Sequence, residues 1–321
     1  MFEINRITSR TCSMLGQRGS IFGVAALDMA RNDSKFVLLT ADLATLSGMD
    51  RFIKTYPDKF LNIGIAEQNM IGIAAGLASE GFHPVATTYA TFLTMRACEQ
   101  IRHYLGYMKQ NVVIIGSGAG LSQGYAGNTH YTIEDISVIR AIPNIKILSP
   151  ADGASAVKLF NASMMANCPI YIRLTGSLNC PVTYKNDIEF MIGGSYQLTS
   201  GNDIAIYACG TMVNEAIKVS ENLKDCGYSA IVFDMYSIKP IDVSAIEKAR
   251  GTKLIVSIEE HNRIGGLGAT IAEIITEKAG FPNLLRLGIS DCFDLADDYN
   301  GLLYKNRLTA SQITEDIIKA L

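Results

Sequence analysis

The chain has 321 residues, enough for two domains of ordinary size, each with its own core. Hydrophobic residues make up 48% and charged residues 18%, with a net charge of −3, which excludes a disordered chain and a basic surface built for nucleic acid or an anionic membrane. The seven cysteines are scattered without a C-x-x-C pair, which excludes a disulfide framework or a zinc site and points to reduced thiols.

Residues 1–16 carry no apolar run behind a basic start, and no stretch approaches the ~20 continuous apolar residues that span a bilayer. The expectation is a soluble, cytoplasmic protein. A low charge together with a mean hydropathy of +0.19 adds the expectation that another subunit covers part of the apolar surface.

In chain order, β-branched runs alternate with helical patterns. Phe36-Val37-Leu38-Leu39-Thr40 reads as a strand, and residues 67–79 follow as a helix rich in small and apolar side chains. Val112-Val113-Ile114-Ile115, Ile145-Lys146-Ile147-Leu148 and Tyr171-Ile172-Arg173-Leu174 are further strands, with a helix predicted over 152–165. Such alternation implies a parallel sheet covered on both faces. Residues 179–202 contain Pro181, Gly193-Gly194 and Gly201 without a helical period, and read as the crossing between domains. Ile204-Ala205-Ile206-Tyr207, Ile231-Val232-Phe233 and Leu254-Ile255-Val256-Ser257-Ile258 then supply a second set of strands, with a helix over 268–279.

The stretch most informative about chemistry is Asn62-Ile63-Gly64-Ile65-Ala66-Glu67-Gln68-Asn69-Met70. Glu67 falls in the first turn of the helix, where an acid complements the helix dipole. The small residues that follow let this turn pack deeply, and a buried acid is expensive unless it is used.

Residues Gly64 to Met70, with Ala41-Asp42-Leu43, Ala74-Ala75-Gly76-Leu77, Tyr89-Ala90-Thr91-Phe92-Leu93, Thr129-His130, Glu134-Asp135-Ile136, Ile142-Pro143-Asn144 and Ser149-Pro150-Ala151-Asp152-Gly153, closely resemble the pyrimidine-binding domain of the transketolase family. Ser257-Ile258-Glu259-Glu260-His261 and Gly265-Gly266-Leu267-Gly268 resemble that family's C-terminal domain. The resemblance runs in order over nearly the whole chain. It implies two three-layer α/β domains: a pyrimidine-binding thiamine diphosphate domain over 1–185 and a transketolase C-terminal-like domain over 195–321.

The resemblance also assigns roles. Glu67 would hydrogen-bond a ring nitrogen of the aminopyrimidine of thiamine diphosphate and so promote removal of the thiazolium proton. Tyr89 and Phe92 match the aromatic positions that pack on the pyrimidine, and Asp42 joins them as a cofactor-binding residue. His130 would reach the substrate as a hydrogen-bond donor or proton shuttle. His83, His103 and His261 are left outside the site.

Nothing resembles Gly-Asp-Gly followed downstream by Asn, the family's diphosphate and metal motif. A hard cation needs oxygen ligands, so Mg (or Ca) and the diphosphate are expected on a separate N-terminal transketolase subunit, in an α2β2 assembly. Self-association through both domains is also expected. Departures at three positions bear on substrate: Ala126, Gly118 and Gly176 stand where the family commonly has an acid, a histidine and a phosphate-clamping arginine. These imply a sugar other than the ordinary pentose and hexose phosphates, with Arg173 or Arg18 as substitute phosphate partners. The expected activity is transfer of a two-carbon ketol (or acyl) unit between sugars. The β subunit of a 2-oxo acid dehydrogenase, a deoxyxylulose-phosphate synthase-like reaction and a non-catalytic scaffold are the alternatives.

Overall fold

A computed structural model describes residues 2–321. Seven strands form the first sheet: β1 (Phe36–Thr40), β2 (Phe60–Asn62), β3 (His83–Tyr89), β4 (Val113–Ser117), β5 (Lys146–Leu148), β6 (Ile170–Arg173) and, from much later in the chain, β10 (Ser237–Lys239). Their order is β10-β5-β6-β4-β3-β1-β2, parallel throughout except for β10, which pairs antiparallel with β5. The second sheet runs β12-β11-β8-β9-β7, built from β7 (Tyr196–Gln197), β8 (Ile204–Ala208), β9 (Ala230–Asp234), β11 (Leu254–Asn262) and β12 (Leu284–Ile289). Only β7 is antiparallel there.

The sequence produces this arrangement for a direct reason. Strands β1, β4, β6, β8 and β9 are buried at every position, as strands covered on both faces must be. Helices Glu67–Ser79 and Gly153–Met165 lie against the first sheet, and their Ala and Gly positions allow close approach. Asp152 caps the second of these helices: its carboxylate accepts from the Ser155 N–H at 2.8 Å while Ser155 returns a bond to the Asp152 backbone.

The N-terminal helix Arg6–Ser20 is broken at Gly16, which adopts φ 65°. A side chain there would also meet the Ser177 backbone, so glycine is required on both counts.

Strand order places the site. The chain runs from β1 outward to β2 and then returns to β3 on the other side of β1, so the order reverses between β1 and β3. In open parallel sheets, ligands bind beyond the carboxyl ends of the strands at such a switch point. The two halves of the chain are not separate bodies, because β10 completes the first sheet's edge and one apolar core runs from Phe36 and Phe160 to Ile206 and Val256. Among the described residues, no helix is long and apolar enough to cross a membrane.

Candidate active site

Four segments meet at the carboxyl edge of the first sheet. The turn after β1 brings Ala41, Asp42 and Leu43; the helix after β2 brings Glu67; the end of β3 brings Tyr89 and, one turn on, Phe92. The loop after β4 brings Gln123, Tyr125, Ala126 and His130, and together these line an open cleft of about 400 Å³. All five residues singled out from the sequence (Asp42, Glu67, Tyr89, Phe92 and His130) therefore share one cavity.

Glu67 is the first residue of its helix and is 1% exposed. Gly64 at φ 76° turns the chain into the helix. One carboxylate oxygen, Oε2, accepts from Arg96 Nη1 at 2.8 Å. The Arg96 guanidinium lies 4.3 Å from the centre of the Phe92 ring, within cation–π range. Residues Phe92–Arg96 form a π-helical turn, and that turn carries both partners.

The aromatic wall is compact. Tyr89 and Phe92 sit 6.0 Å apart, and the His130 ring meets Phe92 edge-on at 5.5 Å and Tyr89 at 6.2 Å. His130 Nδ1 lies 2.8 Å from Thr129 Oγ1, which orients the ring. Asp42 is exposed at the rim with φ 58°, an uncommon conformation for a residue with a Cβ. Asn62 holds it there: the Asn62 amide donates to Asp42 Oδ1 at 3.0 Å and its oxygen accepts from the backbone N–H of Asp42 and of Gly64. One side chain thus ties the turn after β1 to the turn before Glu67.

Arg96, Asn62 and Gln123 were not singled out from the sequence. The four-residue spacing of Phe92 and Arg96 on a helix was the available signal for Arg96.

A second, small pocket of about 20 Å³ adjoins the cleft through Gly118, where an added Cβ would lie 2.6 Å from Gln123 Cγ. Gln17, Arg18, Thr175 and Gly176 also line it. Arg18 Nη1 is buried there without a hydrogen-bond partner. Gly176 has φ 74°, and an added Cβ would lie 2.7 Å from Thr211 Cγ2, so an arginine side chain does not fit this backbone.

Arg173 corrects the sequence expectation. It is 1% exposed, its Nε donates to Asp135 Oδ2 at 2.8 Å and its Nη2 donates to the Glu260 carbonyl at 2.8 Å. A guanidinium committed to a buried carboxylate is not a phosphate partner, and Arg173 instead joins the two halves of the molecule.

The first half of the chain matches the family model described as "Transketolase, pyrimidine binding domain" over residues 19–180, and the second matches "Transketolase, C-terminal domain" over residues 193–297. The chain belongs to the transketolase family. It is 36% identical over 288 residues to the 6-deoxy-6-sulfo-D-fructose transketolase subunit SqwH of Clostridium sp. (strain MSTE9), covering 89% of each chain. It is 38% identical over 253 residues to an apulose-4-phosphate transketolase subunit of Phocaeicola vulgatus, covering 78% of this chain and 81% of that one. Among solved structures it is similar to a split-gene transketolase described as an inactive beta4 tetramer, with a TM-score of 0.85, 36% identity, and coverage of 95% and 98%. This transketolase-family chain is therefore a transferase subunit of a multi-chain enzyme, in a family that depends on thiamine diphosphate.

Proposed function

We propose that this chain supplies the aminopyrimidine half of a thiamine diphosphate site and transfers a two-carbon ketol unit between sugars, in company with a separate subunit that holds the diphosphate and Mg. The observation that carries this reading is the convergence of Glu67, Tyr89, Phe92, His130 and Asp42 on one cleft at the switch point. The donor set fits that half of the cofactor: a carboxylate on the floor, two aromatic faces on the wall and room for a flat heterocycle. When bound, the cofactor supplies a nucleophilic carbon and the electron sink for breaking a carbon–carbon bond.

The chain's own residues then have distinct tasks. Glu67, with Oε2 held by Arg96, would offer its other oxygen to a ring nitrogen of the aminopyrimidine and share a proton there. Tyr89 and Phe92, 6.0 Å apart, would pack on the pyrimidine ring, and Asp42 would contact the cofactor from the rim. His130 is oriented through Nδ1 by Thr129, which leaves Nε2 for the substrate oxygen. In the absence of the family's clamp at Gly176, the Arg18 guanidinium, whose buried Nη1 has no hydrogen-bond partner, takes the anionic end of the sugar. The sulfo- and phospho-sugar names of the two relatives support an anionic substrate of this kind.

The assembly is an α2β2 heterotetramer with self-association through this chain. The inactive beta4 state named for the split-gene relative supports a requirement for the second chain. Calorimetry with thiamine diphosphate and Mg on this chain alone and on the co-expressed pair tests the reading. Tight binding by the pair only, lost in Glu67→Ala, is expected. Tight binding by the isolated chain overturns the division of the site, and no binding by the pair overturns the function.

A further inference from the structure

We infer that Glu260, from the C-terminal half of the chain, positions the loop that carries His130, so that the second half of the molecule shapes a site it does not line. The catalytic consequence rests on the role proposed for His130; the positioning itself does not.

The loop has a closed base. Gly120 and Thr132 exchange backbone hydrogen bonds at 2.8 and 3.2 Å, and between them Gln123, Tyr125, Ala126 and His130 face the cleft. Glu260 grips the first residue past this base: the Leu121 N–H donates to its Oε1 at 2.5 Å. The other oxygen is held just as firmly, accepting from Tyr299 OH at 2.7 Å and Thr211 Oγ1 at 2.9 Å. With donors on both oxygens and 1% exposure, the carboxylate has one orientation. Gly120 adopts φ 65°, and a methyl group there would collide with the Glu260 carboxylate, so backbone and side chain fit only as glycine against glutamate.

The contact is directional. A buried carboxylate is costly, and burial pushes the Glu260 carboxyl above its ordinary pKa, opposed first by the Tyr299 hydroxyl. An apolar side chain would fill the space at lower cost but would leave the Leu121 N–H without an acceptor. The rest of the loop also leans on the C-terminal half. The Asp297 N–H donates to the Gly124 carbonyl at 3.3 Å, and Tyr131 OH donates to the Asp294 carbonyl at 3.1 Å. The same anchor reaches the small pocket, because the Thr211 N–H donates to Thr175 Oγ1 at 3.2 Å.

Hydrogen exchange read by mass spectrometry on the full chain tests the inference. In Glu260→Ala, amides within 119–131 are expected to exchange about tenfold faster or more, while those of β8 and β9 stay within about twofold of wild type. Glu260→Gln keeps an oxygen for Leu121 and is expected to remain near wild type; Tyr299→Phe removes one donor and falls between. In the co-expressed pair, Glu260→Ala is expected to lower kcat about tenfold while thiamine diphosphate affinity changes less than about threefold, because Glu67, Tyr89 and Phe92 lie outside the loop. Uniform acceleration across the C-terminal strands, or no acceleration in 119–131, overturns the assignment. Should Glu260→Ala fail to fold, local acceleration in Tyr299→Phe decides in favour and its absence against. A wild-type pair that binds no thiamine diphosphate defeats the proposed function and leaves the exchange comparison to decide Glu260.

Discussion

The Glu67 carboxylate and the Arg96 guanidinium meet at 2.8 Å across a steep gradient of exposure, the acid at 1% and the arginine at 46%. Arg96 crosses the Phe92 ring to reach the carboxylate, so one cation orders both the acid and an aromatic wall of the cleft. Arg96→Leu leaves a buried acid without its counter-charge. A fully buried pair broken this way costs about 3–5 kcal/mol; solvent screening of Arg96 reduces the expected loss to about 1–3 kcal/mol. Urea titration checks the figure, with Arg96→Lys expected to recover part of it. Unchanged stability in Arg96→Leu would mean that the pair contributes no net stability.

Glu67→Gln separates chemistry from folding. The amide preserves shape and an oxygen for Arg96 but no longer shares a proton with a heterocycle. Turnover by the paired subunits is expected to fall about 10²-fold or more, with a thermal midpoint close to wild type. Near-normal kcat in this variant would remove Glu67 from the reaction.

Arg173 gives the opposite pattern. Its partner Asp135 is fully buried, and Asp135 Oδ1 has no hydrogen-bond partner. Arg173→Met therefore strands a carboxylate in the core, at an expected cost of about 3–5 kcal/mol in chemical denaturation. The KM for sugar in whatever fraction folds is expected to stay unchanged. A raised KM with intact stability would return Arg173 to the substrate site.

These three arginine and glutamate positions show where sequence reading succeeds and where it stops. The strand Phe36–Thr40 and the helix Glu67–Ser79 were legible because a doubly covered strand is a continuous apolar run and a packed helix starts on an acid. Strand β3 was not, since Thr87 and Thr88 interrupt its apolar run and both are buried by the sheet around them. The pairing of β10 with β5 joins residues far apart in the chain, and nothing local encodes it. At the site, no spacing rule brings Asp42, Glu67, Tyr89, Phe92 and His130 together; the family pattern did so. Asn62 and Arg96 escaped because their parts are defined by where side chains meet in space. Arg173 was misread because a cation's burial does not show in its neighbours' names.

Two buried groups on β11 make stability depend on pH in opposing ways. Burial raises the Glu259 carboxyl from 4.5 to about 7, against the N–H groups of Gly268 and Leu267 that it accepts at the start of helix Leu267–Thr276. Burial lowers the neighbouring His261 from 6.5 to about 4, against the pull of Asp135. Between the ordinary and the raised value, the folded chain holds a Glu259 proton that the unfolded chain has released. Glu259 therefore contributes stability that is lost as pH rises from 4.5 to about 7. For His261 the unfolded chain holds the extra proton, so stability rises with pH from about 4 to 6.5. Where the windows overlap the two slopes, each at most about 1.4 kcal/mol per pH unit, offset one another. His261→Gln is expected to expose a melting temperature that falls as pH rises through the overlap. Glu259→Gln is expected to expose one that rises. Calorimetric melts at half-unit steps check both, and parallel profiles in the two variants would show that neither group titrates with folding.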